Sequence, residues 1–215
     1  LMAGVMAKMA NTTDELIEIF KGLGFYSITV VIGLALMIFV IYPLILRISG
    51  LKTLFYSDFF RKMAPAQFLA FSTSSSAATL PITMECVEDR IGVPKRISSF
   101  VLPIGATVNM DGTSLYQSIA VIFLAQLHFI ELDFTQQMTI VLTATLASIG
   151  SAAVPSAGLV MLIMVLQSVG LNPLWIAIIF PVDRILDMCR TTVNVTGDAT
   201  ICSIIAKTEG ELSEN

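Results

Sequence analysis

The stretch Asp183-Arg-Ile-Leu-Asp187-Met-Cys-Arg190-Thr191-Thr-Val-Asn194-Val-Thr-Gly-Asp198 lies just after an apolar run at residues 174–180. Wound as a helix at 100° per residue, it places Asp183, Asp187, Arg190, Thr191, Asn194 and Asp198 on one face about 100° wide. The rest of its circumference is mostly Ile, Leu, Met and Val. Three carboxylates, a guanidinium, a hydroxyl and an amide on one stripe, in apolar company, are costly to bury. Such groups face a bundle interior or a wet cavity and mark a substrate or ion path. Hydrogen-bond glue between helices is the bland alternative, but glue needs neither an Arg nor three Asp.

The solvent around that stripe is read from composition. Of the 215 residues, 55% are hydrophobic and 13% charged, about half the ~25% charged share of a soluble domain. The bilayer is the expected solvent. The net charge of −4 comes without a basic block, which argues against nucleic acid as a partner. Cys86, Cys189 and Cys202 lack metal-site spacing and read as small packing residues, and His128 sits by a loop without a catalytic partner. Leu1 stands where a start methionine would be and no signal peptide is visible, so the chain is expected to be a fragment of a longer protein.

Outward from the stripe, the chain reads as an all-α membrane protein. Residues 28–46, within a helix over 24–48, form the clearest apolar run of spanning length. Residues 58–92 predict two arms of about a dozen residues each, too short to cross at 1.5 Å per residue. Their tip is the small, polar Ser74-Ser-Ser-Ala-Ala-Thr-Leu-Pro81. A re-entrant helical hairpin fits, since broken backbone at depth survives only inside protein or beside a cavity. The helix over 96–128 is interrupted by Asn109-Met-Asp111-Gly112-Thr113, with Gly112 read as a breaker. Freed carbonyls and half-helix ends there can hold ions or substrate groups. Residues 134–167 repeat the short-arm pattern around a tip at 148–158, and Ser151-Ala-Ala-Val-Pro155 echoes Ser76-Ala-Ala-Thr-Leu-Pro81. A last helix spans 171–207, and 209–215 is a polar tail. Hairpin plus polar helix, twice, is the pattern of an inverted repeat. Arg47, Lys52, Arg61, Lys62, Arg90, Lys95 and Arg96 flank the first hairpin, and no Lys or Arg lies in the loops at 128–134 and 167–173. The positive-inside rule then has the two hairpins enter from opposite sides and meet near the midplane.

These motifs together resemble the glutamate/aspartate transporter family, with most likeness to its prokaryotic sodium–aspartate symporters and glutamate carriers. The resemblance rests on Ser74–Pro81, Asn109-Met-Asp-Gly-Thr113, the tip at 148–158 and Asp187-Met-Cys-Arg190-Thr-Thr-Val-Asn194-Val-Thr-Gly-Asp198, in order along essentially the whole chain. It implies that the family's first four helices are absent, that residues 1–22 end a scaffold helix (the fifth), and that 23–208 form the transport domain. It implies a homotrimer through the missing scaffold, a multi-pass place in the plasma membrane, and elevator-type symport of L-aspartate or L-glutamate with sodium, or with protons in some bacterial relatives.

Residue by residue, the resemblance gives Asp187 the substrate's α-ammonium and Arg190 its side-chain carboxylate. Asn194 and Ser76, with backbone amides around Ser74 and Val154, would hold the α-carboxylate. Thr113 and Thr191 would add polar contacts, and Asp183 would orient its neighbours. One sodium would lie among Gly105, Asn194, Asn109 and Asp198. A second would use Asn109, Met110 and Asp111 with groups from a helix outside this chain. A third would use Thr107, Ser148, Ile149 and Ser151. Oxygen-only ligands suit a hard cation.

Departures accompany the likeness. Many relatives have an Arg at the position of Ser74 or of Met188; this chain has neither, and Arg184, one turn earlier, is the expected stand-in. Ala77 replaces a serine and Ser156 a glycine. Gln117 stands where animal glutamate transporters carry a glutamate tied to proton and potassium coupling, which implies no potassium countertransport. Other classes fit less well. A serine protease at Ser74–Ser76 lacks a base, an aspartyl protease of Asp111 and Asp198 leaves Asn109 and Asn194 unexplained, and an anion channel needs no Arg190–Asp187 pair. An isolated, inactive transport module is the remaining alternative.

Overall fold

The computed structural model describes residues 13–51 and 56–212, and all regular structure among them is helical. In chain order the helices are α1 (Thr13–Leu36), α2 (Tyr42–Ile48), α3 (Tyr56–Thr73), α4 (Ser76–Glu85), α5 (Lys95–Val108), α6 (Asp111–Leu127), α7 (Phe134–Ile149), α8 (Ala157–Ser168) and α9 (Ile176–Thr208). The first part of the segment expected to end a scaffold helix, residues 1–12, lies outside the described residues, as do residues 213–215 of the tail.

From Thr13 to Ile48 the chain runs as one rod, with a π-helical segment, Met37–Ile41, joining α1 to α2. The division expected between residues 22 and 24 is not there. Gly22 packs in helix, where an added Cβ would touch the Phe123 ring at 3.4 Å. The π-helical turn has a local cause. Pro43 has no N–H to offer the carbonyl four residues back, and the Tyr42 N–H instead reaches the Met37 carbonyl, five back. Among the described residues, Ile17–Ile48 is the helix long and apolar enough to cross a membrane. Phe25, Phe39 and Ile48 are exposed along it, the kind of surface that lipid or another helix covers.

α3 and α4 form a helical hairpin turning at Ser74 and Ser75, and α7 and α8 form another whose turn spans 150–156. The α3 arm is 18 residues long, not the dozen expected. The additional turns carry Asp58, paired with Arg61 at 2.8 Å and Lys62 at 3.5 Å. A helix start rich in paired charges is amphipathic rather than apolar, so hydropathy alone stopped short of it. α7 starts with a capping box in which Asp133 and Gln136 satisfy each other's backbone N–H groups. α9 starts at Ile176 rather than 171, because Asn172 caps a short 3₁₀ turn, Pro173–Trp175, ahead of it.

Two apolar cores share α9. One gathers α1, α6, α7 and α8 around residues such as Tyr26, Leu124, Ile140 and Leu162, with Leu186 and Val193 from α9. The other gathers α3, α4 and α5 around Phe59, Met63, Val87 and Leu102, with Val195, Ala199, Cys202 and Ala206 from α9. The site lies where α9 passes from one core to the other. Along this crossing its hydroxyls are satisfied from within the helix. Thr191, Thr192, Thr196, Thr200 and Ser203 each donate to the carbonyl four residues back, at 2.7–3.0 Å.

Candidate functional site

The six polar residues of the α9 stripe, Asp183, Asp187, Arg190, Thr191, Asn194 and Asp198, are all buried. Arg190 is 1% exposed. One of its terminal nitrogens, Nη2, donates to Asp187 at 2.7 Å and to Asp183 at 3.1 Å. Its guanidinium carbon lies 3.7 Å from the centre of the Tyr116 ring, whose hydroxyl in turn donates to Asp183 at 2.8 Å. Asp183 thus orients Arg190 from behind. The fork is half used, since Nε and Nη1 are buried without a hydrogen-bond partner. A buried guanidinium with unspent donors is suited to a planar anion.

Both hairpin turns close over this cluster. Ser75 caps α4, its Oγ accepting from the Ala78 N–H at 3.1 Å and donating to the Ala153 carbonyl of the second turn at 2.7 Å. In that second turn, the Ser156 N–H donates to Asp187 at 2.8 Å. Ser74, Ser76, Met110, Thr113, Ser151, Val154, Gly158, Asp187, Thr191 and Asn194 surround the cavity that remains. It measures about 20 Å³, against about 300–1,000 Å³ for a typical ligand pocket. The side-chain hydroxyls of Ser74 and Ser151 are buried with no partner.

Two of the expected backbone donors are already occupied. The Ser74 N–H donates to Ala70 at 2.9 Å and the Val154 N–H to Ala152 at 2.8 Å, so both amides are already spent on the backbone. Each turn is tight enough to bond itself, and an anion would have to displace those bonds. Gly112 is not the helix breaker. The break falls at Asn109 and Met110, and Gly112 lies inside α6 where a Cβ would come within 2.7 Å of the Arg190 carbonyl. Its missing side chain lets the start of α6 dock onto α9. There the Gly112 N–H donates to Asn194 at 2.8 Å, and Asn194 donates to Thr113 at 3.2 Å.

The break in the 95–127 helix pair gathers a second polar cluster. The Asn109 side chain donates to Asp198 at 2.9 Å, and a Cβ on Gly105 would meet the same carboxylate at 2.6 Å. Asp111 opens α6 and accepts from the Tyr42 hydroxyl at 3.1 Å. Of the third expected ion set, buried Ser148 and Ser151 contrast with exposed Thr107 and Ile149, neither of which lines the cavity. Thr107 spends its hydroxyl on the Ile104 carbonyl and Ser148 on that of Thr145. Among the described residues no three His, Cys, Asp or Glu gather as a transition-metal site would need. Arg184 is exposed on α9 and makes no ion pair among the described residues.

Sequence reading missed Tyr42, Tyr116 and Ser75. Tyr116 had a signal, since Thr113, Tyr116 and Gln117 share a helix face in an otherwise apolar segment. Gln117, which was singled out, is buried and donates to the Gly158 carbonyl at 2.9 Å.

The model of the sodium:dicarboxylate symporter family matches residues 2–208. An excitatory amino acid transporter of Caenorhabditis elegans is 45% identical over 201 residues, covering 94% of this chain and 39% of that protein. Human excitatory amino acid transporter 5 is 48% identical over 206 residues, 96% of this chain and 36% of its own length. Human excitatory amino acid transporter 3 is 50% identical over 190 residues, 88% and 36% respectively. The chain therefore spans a little over a third of the length of these relatives.

Proposed function

This chain belongs to the sodium:dicarboxylate symporter family, a family of transporters and not of enzymes, and from that premise we propose that it is the substrate-carrying part of an acidic amino-acid symporter. The observation that carries the reading is the half-used fork of Arg190 beside Asp187. An aspartate or glutamate zwitterion brings two carboxylates and one ammonium. Arg190 Nε and Nη1 match a side-chain carboxylate, Asp187 matches the ammonium, and the unpartnered Ser74 and Ser151 hydroxyls, with Ser76, Thr113 and Asn194 alongside, match the second carboxylate. The names of the relatives, excitatory amino acid transporters, agree with that substrate class.

Cation coupling follows from charge. Asp111, Asp183, Asp187 and Asp198 oppose the single Arg190 in this region, four carboxylates against one guanidinium. An acidic amino acid adds one more negative charge, and so much like charge is untenable at depth without cations. Gly105, Asn109, Asp198 and the Asn194 backbone supply the oxygen donors a hard cation takes, as do Asn109, Met110 and Asp111. These donors fit sodium, and Ser148 and Ser151 extend the set beside the second turn, with Thr107 and Ile149 needing a shift to join them.

In this reading the two hairpins are re-entrant halves of an inverted repeat and the unit spans the membrane several times. It moves as an elevator against a trimeric scaffold supplied by the remainder of a full-length transporter. Loading requires Asp187 to release the Ser156 N–H and the second turn to lift. Substrate and cations then neutralise the site and let the turn close over them.

The test is calorimetric binding of L-aspartate to the detergent-solubilised protein across sodium concentrations, with Arg190→Cys beside it. Sodium-dependent binding that the variant weakens by about a hundredfold or more is expected. Binding that ignores sodium and follows pH would replace the coupling ion with the proton. No binding in any condition would sink the substrate assignment for this chain.

A further inference from the structure

Resting on the sodium-coupled reading above, we propose that Tyr42 is a positioning residue that ties the cation-binding Asp111 to the substrate-binding helix α9. Its ring is 2% exposed at the junction of the π-helical segment and α2. One phenolic proton faces two acceptors, the Asp111 carboxylate at 3.1 Å and the Val193 carbonyl at 3.2 Å. Val193 directly precedes Asn194, which itself accepts from the start of α6.

The surroundings are built for this contact. Gly197 lies where a Cβ would sit 2.7 Å from the Tyr42 hydroxyl and 2.8 Å from the Asn109 amide nitrogen. Only a residue without a side chain lets both groups reach α9 at that level. The π-helical segment and Pro43 set the phase that turns Tyr42 inward, and π-bulges are frequent at functional positions.

The division of one proton between two acceptors makes the contact responsive. With Asp111 uncompensated, its charge draws the hydroxyl hydrogen. A cation at Asp111 would take over that compensation and leave the hydroxyl to bond to Val193. Cation arrival is thereby transmitted to the α9 backbone one residue from Asn194.

The experiment is Tyr42→Phe, which keeps the ring and removes only the hydroxyl, assayed by aspartate calorimetry over a sodium series. The sodium concentration for half-maximal binding should rise about tenfold, with aspartate affinity at saturating sodium held within about twofold. A merely structural tyrosine would move both affinities together. Thermal melting in sodium against choline gives a second reading without substrate: sodium should raise the midpoint of the wild type more than that of the variant. Gly197→Ala, which crowds the same hydroxyl, should reproduce the rise in half-maximal sodium. A wild type whose binding ignores sodium would overturn the coupling reading and this role with it. A sodium-linked wild type matched by an unchanged Tyr42→Phe would overturn the role of Tyr42 alone.

Discussion

The two hairpin turns touch each other and face one site, yet they are held in different ways. The first is short and capped from within. Thr73 ends α3, Ser76 begins α4, and Ser75 between them caps the second arm with its own side chain. The second needs residues 150–156 to reverse and exposes Val154, while both turns hold a serine in the left-handed region, Ser74 at φ 54° and Ser156 at φ 62°. Its Ser156 N–H depends on Asp187, a group the substrate is expected to claim. One turn therefore keeps a local cap when the second lifts, Ser75 on the Ala78 N–H, and the other rests on the Asp187 bond that the proposed binding must break. Under the proposed function, that difference makes the first turn the frame and the second the gate.

The comparison can be broken most severely at Asp187. Asp187→Asn removes the charge from the Ser156 contact and from the Arg190 pair. Hydrogen bonds to a charged group are worth about 1.5–3 kcal/mol, so amide exchange over residues 151–156 should speed up by about tenfold or more, with residues 73–76 little changed. Equal acceleration in both turns would mean that they open as one body. Ser75→Ala is next. It removes a helix cap and the bond to Ala153, for a loss of about 1–2 kcal/mol in stability by thermal or denaturant melting. A loss confined to the second turn's exchange, without a change in melting, would mean that the first turn is held by packing alone. The smallest effect sharpens the contrast. Ser156→Gly relieves a left-handed residue that costs about 1–2 kcal/mol, partly offset by the freer unfolded chain. A net gain of no more than about 1 kcal/mol should appear as slower exchange in the second turn.

How much of this could be read beforehand depends on how local each feature is. The polar stripe on α9 was legible because helical phase is fixed by spacing alone, and Asp183, Asp187, Arg190 and Asn194 are buried side by side. The turns and the break at Asn109 were legible because small, polar and helix-poor residues cluster there. What escaped depends on residues far apart in sequence. Tyr42 meets Asp111 and Tyr116 meets Asp183 across distances that no period in the sequence encodes. Gly112 was misread for the same reason, since a glycine that permits close packing looks like one that breaks a helix until its neighbour on α9 is known. The length of α3 was underestimated because Asp58, Arg61 and Lys62 form its charged first turns, where hydropathy is silent.

The passage of α9 from one core to the other sets a limit on length change. Leu186 and Val193 are keyed to one set of partners, and Val195, Ala199 and Cys202 to another. One residue inserted between Val193 and Val195 would rotate everything beyond it by about 100° and advance it by about 1.5 Å. No side-chain rearrangement compensates such a turn. Loops such as 128–133 can lengthen or shorten, but the 33-residue helix is a fixed ruler, and its count is as much a part of this protein as the identity of Arg190.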